Sequence, residues 1–160
     1  MARPGGLLAV LALFAASPAL AQTAAGTPDA VVPVSQEDRE MNAAIAAARQ
    51  ALPEFLAVVD SPPAGVRDVA FKYPLEGWEH IWVSDVRRRG DRLEGKLDNE
   101  PQAEGHVLGE QVSVPLTEVS DWGYRGADGV MRGHRTTRAL LVHLDPEEAE
   151  QVRQWLGWKD

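Results

Sequence analysis

Cysteine is absent from all 160 residues, which excludes disulfides, thiolate metal centres, cysteine catalysis and a lipid-modified cysteine. Stability must come from packing alone. Long apolar runs are missing too. The longest, Leu7 to Ala16, holds about ten residues, against the roughly 20 needed to cross a bilayer. Basic residues are outnumbered, 16 Lys+Arg against 24 Asp+Glu, which argues against nucleic acid and anionic membrane, since both are held through basic patches. Arg87-Arg88-Arg89 is the one uninterrupted basic run. Flanked by Asp85, Asp91 and Glu94, it reads as a solvated tip that protects a sheet edge rather than as a phosphate site.

The apolar run at the start follows a single base, Arg3, and precedes Ser17-Pro18 and the small-residue site Ala19-Leu20-Ala21. That pattern predicts a secretory signal peptide over residues 1–21, cleaved between Ala21 and Gln22, and a soluble periplasmic or secreted product. Removing 21 residues from 160 leaves 139, a normal length for one domain. The removed segment has one base and no acid, so the mature balance is 15 Lys+Arg against 24 Asp+Glu, a net charge of −9. Residues 22–34 carry two prolines and no periodicity and read as a flexible spacer. Residues 35–160 form the expected single domain.

The centre of that domain is a predicted β-hairpin, in which the strands Trp78 to Val86 and Arg92 to Leu97 meet at Gly90-Asp91. Charge sets its register. With Gly90-Asp91 as the loop, Arg87 faces Glu94 and Asp85 faces Lys96; sliding the loop by one residue sets Arg87 against Arg92 and Asp85 against Glu94. The first register puts Trp78, His80, Trp82, Ser84 and Val86 on the core side with Leu93 and Leu97.

Before the hairpin, Ser35 followed by Gln36-Glu37-Asp38 and Glu40 predicts a helix start. Met41, Ile45, Ala48, Leu52, Phe55, Leu56 and Val59 then form one apolar stripe. Pro53 either kinks this helix or begins a second short one. Val66–Tyr73 alternates as a first strand, ended by Pro74 and Gly77. Gln111–Leu116 reads as a fourth strand at a sheet edge, because Pro115 cannot donate a ladder bond, and Val119–Tyr124 as a short fifth. Residues 135–144 are apolar all round at the centre, which leaves helix or strand open, with helix favoured. Asp145-Pro146 with Glu148 marks the start of a last helix, with Ala149, Val152, Trp155 and Leu156 inward and Gly157 at its end. The order predicts an α+β fold: an N-terminal helix on a mainly antiparallel sheet with a central hairpin, followed by one or two C-terminal helices.

Chemistry is sparsely signalled. His80 and Glu79 point to opposite faces of their strand, and His106, His134 and His143 fall at no metal-ligand spacing, so no metal and no cofactor are expected. Ser84, Ser113 and Ser120 have no base visible in the sequence, and no catalytic residue is assigned. Trp82, Trp122 and Tyr124 could line the core or a concave ligand surface.

Glu79-His80-Ile81-Trp82-Val83, Gly95-Lys96-Leu97-Asp98-Asn99-Glu100-Pro101, Asp121-Trp122-Gly123-Tyr124, and Gly129 with Gly133, Thr137 and Arg138 together resemble the bacterial YegJ-like family, domain of unknown function number 2314. The likeness extends to Ala44, Ala48-Arg49, Phe55 and Lys72 and covers roughly residues 40–157. Where related sequences carry Gly-Gly-Tyr-Thr ahead of the arginine, this chain reads Gly133-His134-Arg135-Thr136-Thr137, so a role resting on that tyrosine does not carry over. The resemblance implies a fold and a set of matching positions, not a reaction. His80, Asn99, Glu100, Asp121 and Arg138, together with Trp82 and Trp122, are the candidate ligand- or partner-binding residues. In the cluster reading, Arg138 bridges Asp121 or Glu100. The leading expectation is a non-enzymatic binding or accessory module of the cell envelope, whose partner, an envelope protein or small ligand, and oligomeric state the sequence leaves open. The alternative is a hydrolase-type enzyme in which His80 and a carboxylate exchange protons.

Overall fold

A computed structural model describes residues 39–158. The expected signal peptide, the spacer and the Ser35 helix cap lie outside the described residues. The elements are α1 (Arg39–Gln50), α2 (Leu52–Asp60), β1 (Arg67–Leu75), β2 (Glu79–Arg89), β3 (Arg92–Leu97), β4 (Gln111–Pro115), β5 (Asp121–Arg125), β6 (Met131–Gly133), α3 (Arg135–Leu140) and α4 (Pro146–Leu156), with short 3-10 turns at Leu116–Glu118 and Leu141–His143. The class is α+β, as expected. One six-stranded antiparallel sheet in the order β4-β3-β2-β1-β5-β6 joins two N-terminal and two C-terminal helices.

The apolar stripe of the N-terminal segment divides at its proline. Pro53 occupies the first turn of α2, where its missing N–H costs nothing. Ala48, Leu52, Phe55, Leu56 and Val58 are buried against Phe71, Tyr73, Ile81, Val83, Leu93, Leu97 and Trp122 on the first face of the sheet. Trp122 fastens this layer twice: its ring stacks on Phe55 at 5.3 Å and its Nε1 donates to the carbonyl of Ala48 at 2.8 Å. That carbonyl lies in the last turn of α1, where helix carbonyls lack intrahelical partners.

The hairpin holds its expected register at the tip, with Arg87 opposite Glu94 and Arg89 opposite Arg92, but Lys96 pairs with Ser84 rather than with Asp85. Asp85 is the extra residue of a β-bulge, at φ 54°. Its carboxylate still reaches Lys96 Nζ at 3.0 Å, so the complementary charges meet although the ladder has slipped by one. A one-residue slip exchanges faces. Val86, Leu93 and Leu97 therefore do belong to the first face, whereas His80, Trp82 and Ser84 lie on the opposite one, which corrects the single-faced assignment. Trp78, expected inside, is 56% exposed in the turn before β2.

β4 is an edge strand as Pro115 requires, and β1 continues through Pro74 to Leu75 instead of ending before the proline. Of residues 135–144, all but Leu144 are helical, α3 followed by a 3-10 turn. Asp145 caps α4 by accepting from the amides of Glu147 and Glu148, each at 3.0 Å, and Gly157 ends it. The inward side of α4, Ala149, Val152 and Leu156, forms a second small core with Met131 and Leu141. No helix among the described residues is long and apolar enough to cross a membrane.

Candidate functional site

On the second face, β1, β2 and β5 bring three residues side by side, because Lys72 pairs with Trp82 on one side and with Asp121 on the other. Lys72 is buried, and burial pushes its ammonium below the usual lysine range while the charge of Asp121 acts the other way. The two charges are bridged by Thr136: Lys72 Nζ donates to Thr136 Oγ1 at 3.1 Å, which donates in turn to Asp121 Oδ2 at 2.7 Å. The ammonium also lies 4.7 Å from the centre of the Trp82 ring. Asp121 is saturated, for it accepts the amides of Trp122 at 2.8 Å, Thr136 at 2.8 Å and Arg135 at 3.2 Å as well. A carboxylate with this many donors anchors the start of α3, since two of them are the first amides of that helix.

His134 continues the aromatic layer. Its imidazole lies 4.5 Å from Trp82 and 5.7 Å from Trp155, edge-on to the latter. Burial first, then the charges of Lys72 and Arg125, bring its pKa down to about 3, so it is neutral at physiological pH. Gly123 makes room for it, since a Cβ there would come within 2.3 Å of the ring. Gly133, just before, has φ 78° and a Cβ would sit 2.0 Å from the Trp122 carbonyl, so both conformation and close approach demand glycine. His80, at the rim of the same face, is likewise lowered to about 4, by burial and then by Lys72 and Arg49.

Contrary to the expectation that Ser120 lacks a base, His80 Nδ1 lies 2.9 Å from Ser120 Oγ. Yet Ser120 is fully buried, and no carboxylate hydrogen-bonds His80 among the described residues. The serine therefore lacks access to a substrate although His80 itself is exposed, and among the described residues no carboxylate orients the imidazole as in a catalytic triad.

An open cleft lies between α1, α3 and β6, with Trp122 reaching it from β5. It encloses about 770 Å³ and is lined by Ala47, Trp122, Met131, Arg135, Arg138 and Trp158, among others. Arg135 stacks its guanidinium 4.9 Å over Trp122, and Arg138 stacks 3.8 Å over Trp158. Among the described residues no carboxylate pairs with either, and Arg135 Nη1 is shielded from solvent without a hydrogen-bond partner. Arg132, on the same wall, is neutralised in a two-point contact with Asp128, at 3.0 and 2.9 Å.

The seven candidate residues thus separate. Asp121 is in the Lys72 network with Trp82 beside it, and Trp122 reaches the cleft from the first core. Asn99 accepts the Trp82 amide at 3.2 Å and closes the base of the hairpin. Glu100 is exposed. Arg138, expected to bridge Asp121 or Glu100, makes no ion pair with either among the described residues and turns to Trp158 instead. Sequence reasoning gave no role to Thr136, Arg135 or Trp158. Arg125, also passed over, is buried and spans the fold, donating to Asp68 at 2.9 Å, Gly129 at 2.8 Å and Trp155 at 3.1 Å. Among the described residues no group of three His, Asp or Glu side chains is placed to hold a metal ion.

The molecule is therefore an α+β domain with a buried lysine–carboxylate network behind an arginine- and tryptophan-lined cleft. The chain belongs to the family described as an uncharacterized protein conserved in bacteria, DUF2314, which matches residues 38–159. A putative ankyrin repeat protein of Neisseria meningitidis serogroup B is 35% identical over 71 residues, which is 44% of this chain and 28% of that protein. The match thus spans little more than a quarter of the relative's length. No solved structure matches the chain.

Proposed function

We propose that this DUF2314 protein is an exported, soluble, non-enzymatic binding module of the cell envelope, and that the cleft between α1, α3 and β6 receives its ligand or partner. The observation that carries this reading is the pair of arginines in the cleft, each stacked on an indole and neither joined to a carboxylate among the described residues. Stacking fixes the plane of a guanidinium and leaves its edge free to donate. The export part rests on the leader pattern of residues 1–21. The relative's name sets a similar stretch within an ankyrin repeat protein, and repeat arrays build extended binding surfaces, which suits an accessory role.

One observation favours a second reading, hydrolase chemistry: the 2.9 Å contact of His80 with Ser120. The burial of Ser120 and the lack of an orienting carboxylate weigh against it. Capture from the envelope fraction separates the two. Wild-type protein should retain a specific partner that Arg138→Gln loses and that Ser120→Ala and His80→Ala keep. Capture that depends on Ser120 and ignores Arg138 would overturn the proposal.

A further inference from the structure

We propose that the ligand of this cleft is a monoanionic carboxylate carried on an apolar body, a proposal that rests on reading the cleft as the binding site. Charge sets the anion. Of the four charged side chains lining the cleft, Arg132 is cancelled by Asp128, which leaves Glu54, Arg135 and Arg138 to be summed, three described residues with no ion pair among them. One positive charge is left. A carboxylate matches it, whereas a phosphate dianion would bring a second negative charge beside Glu54.

Geometry sets where the carboxylate sits. Arg135 and Arg138 are three residues apart on α3, so their side chains leave the same face of the helix, and two like charges there repel unless an anion lies between them. Both guanidinium carbons lie over indoles, 4.9 and 3.8 Å from the ring centres, and a guanidinium covered on one face still has N–H edges from which a planar carboxylate accepts two parallel bonds. Three buried side-chain nitrogens lack hydrogen-bond partners among the described residues, Arg125 Nη2, His134 Nε2 and Arg135 Nη1. Of these three residues, only Arg135 lines the cleft. Buried polar groups are normally satisfied, and a small shift of this guanidinium toward a bound oxygen would satisfy it.

Composition sets the rest of the ligand. Ala47, Ala139, Met131 and the two indoles offer an apolar wall with little to hydrogen-bond beyond the arginines, so the part of the ligand away from its carboxylate is apolar or aromatic. A free organic acid and the C-terminal residue of a peptide share this chemistry.

The test is a titration of the mature protein, followed by the Nε–H signals of the arginines and the indole N–H signals of Trp122 and Trp158. The probes are 3-phenylpropionate, N-acetyl-Ala-Phe with a free C-terminus, the amide of each, and inorganic phosphate. At least one free acid should shift Arg135, Arg138 and both indoles, its amide should bind at least about tenfold more weakly, and phosphate should shift none of them. Whichever acid binds more tightly identifies the source. Arg138→Gln should weaken the acid by at least about tenfold with an unchanged melting temperature, since Arg138 is exposed. Arg135→Lys, which keeps the charge and loses the fork, should weaken it as well. Equal binding of acid and amide, preference for phosphate, or shifts confined to residues outside the cleft would overturn the carboxylate. If no acid binds while envelope capture still requires Arg138, the ligand class is wrong and the binding module stands. If the acid binds while capture ignores Arg138, the reverse holds.

Discussion

Lys72 and Asp121 face each other across β1 and β5, and the hydroxyl of Thr136 stands between them, 3.1 Å from one and 2.7 Å from the other. Neither charge can be removed alone without stranding the other in the interior. Asp121→Asn sets an amide against the donors of Thr136 and leaves Lys72 unbalanced, so it should destabilise by about 3–5 kcal/mol. Lys72→Met should cost less, roughly 1–3 kcal/mol, because Asp121 keeps its backbone donors. Urea melts of the two variants check the order, and a larger cost for Lys72→Met would show that the lysine, not the carboxylate, organises the network.

Acid should loosen the aromatic layer through His134. Its folded pKa, about 3, is below the ordinary 6.5, so the unfolded chain binds more protons between those values. Its contribution is fully present above about pH 6.5 and is lost as pH falls toward 3, a difference of roughly 3–5 kcal/mol. His134→Asn removes the titrating ring and tolerates the left-handed backbone at this position, φ 49°. The variant should be less stable at pH 7 and show a shallower loss between pH 6.5 and 4; parallel curves would contradict a neutral buried imidazole. His80 adds in the same direction over a narrower window, down to about pH 4.

At the bulge, Asp85 holds a left-handed backbone, φ 54°, for the sake of the slip in register. Asp85→Gly relieves that strain while giving up an exposed ion pair with Lys96 worth no more than about 1 kcal/mol. The net change in melting should be small. Asp85→Val, β-branched and unsuited to the conformation, should cost about 1–3 kcal/mol. Near-identical melting of the two variants would argue that the bulge is not needed.

Trp122→Phe keeps most of the stacking on Phe55 but deletes the donor to Ala48. The expected cost is about 1–3 kcal/mol for the orphaned carbonyl. Amide exchange in the last turn of α1 should quicken more than exchange in β1, which the hydrogen bond does not touch.

Much of the fold was legible because local chemistry and tertiary structure agree. Pro53 divides the first helical segment, Pro115 marks an edge, and Asp145-Pro146 opens α4. The two-sided use of β2 was hidden, because a charge test cannot see a bulge when the Asp85 carboxylate reaches Lys96 from either register. The signal available was the residue type, since aspartate tolerates positive φ better than most. β6 escaped as three residues, the last of them Gly133, too short for any period to show. The candidate site was read in pieces. Asp121 and Trp122 stood out by type, but the partner of Arg138 is Trp158, 20 residues further on, and a stacking partner leaves no mark in sequence comparable to a complementary charge.

The sheet order gives Lys72 a second meaning. Strands β1 to β4 form a consecutive meander whose pairings are all between sequence neighbours, while β5 must return to the far side of β1, pairing residue 121 with residue 72. Local pairings close faster than distant ones, so the four-stranded meander is expected to form ahead of β5, with β1 as its open edge. A lysine in the middle of such an edge is the charge that discourages another chain from adding to it. The same ammonium that is costly to bury in the finished domain would on this order guard the unfinished one, its dehydration deferred until β5 and Thr136 cover it.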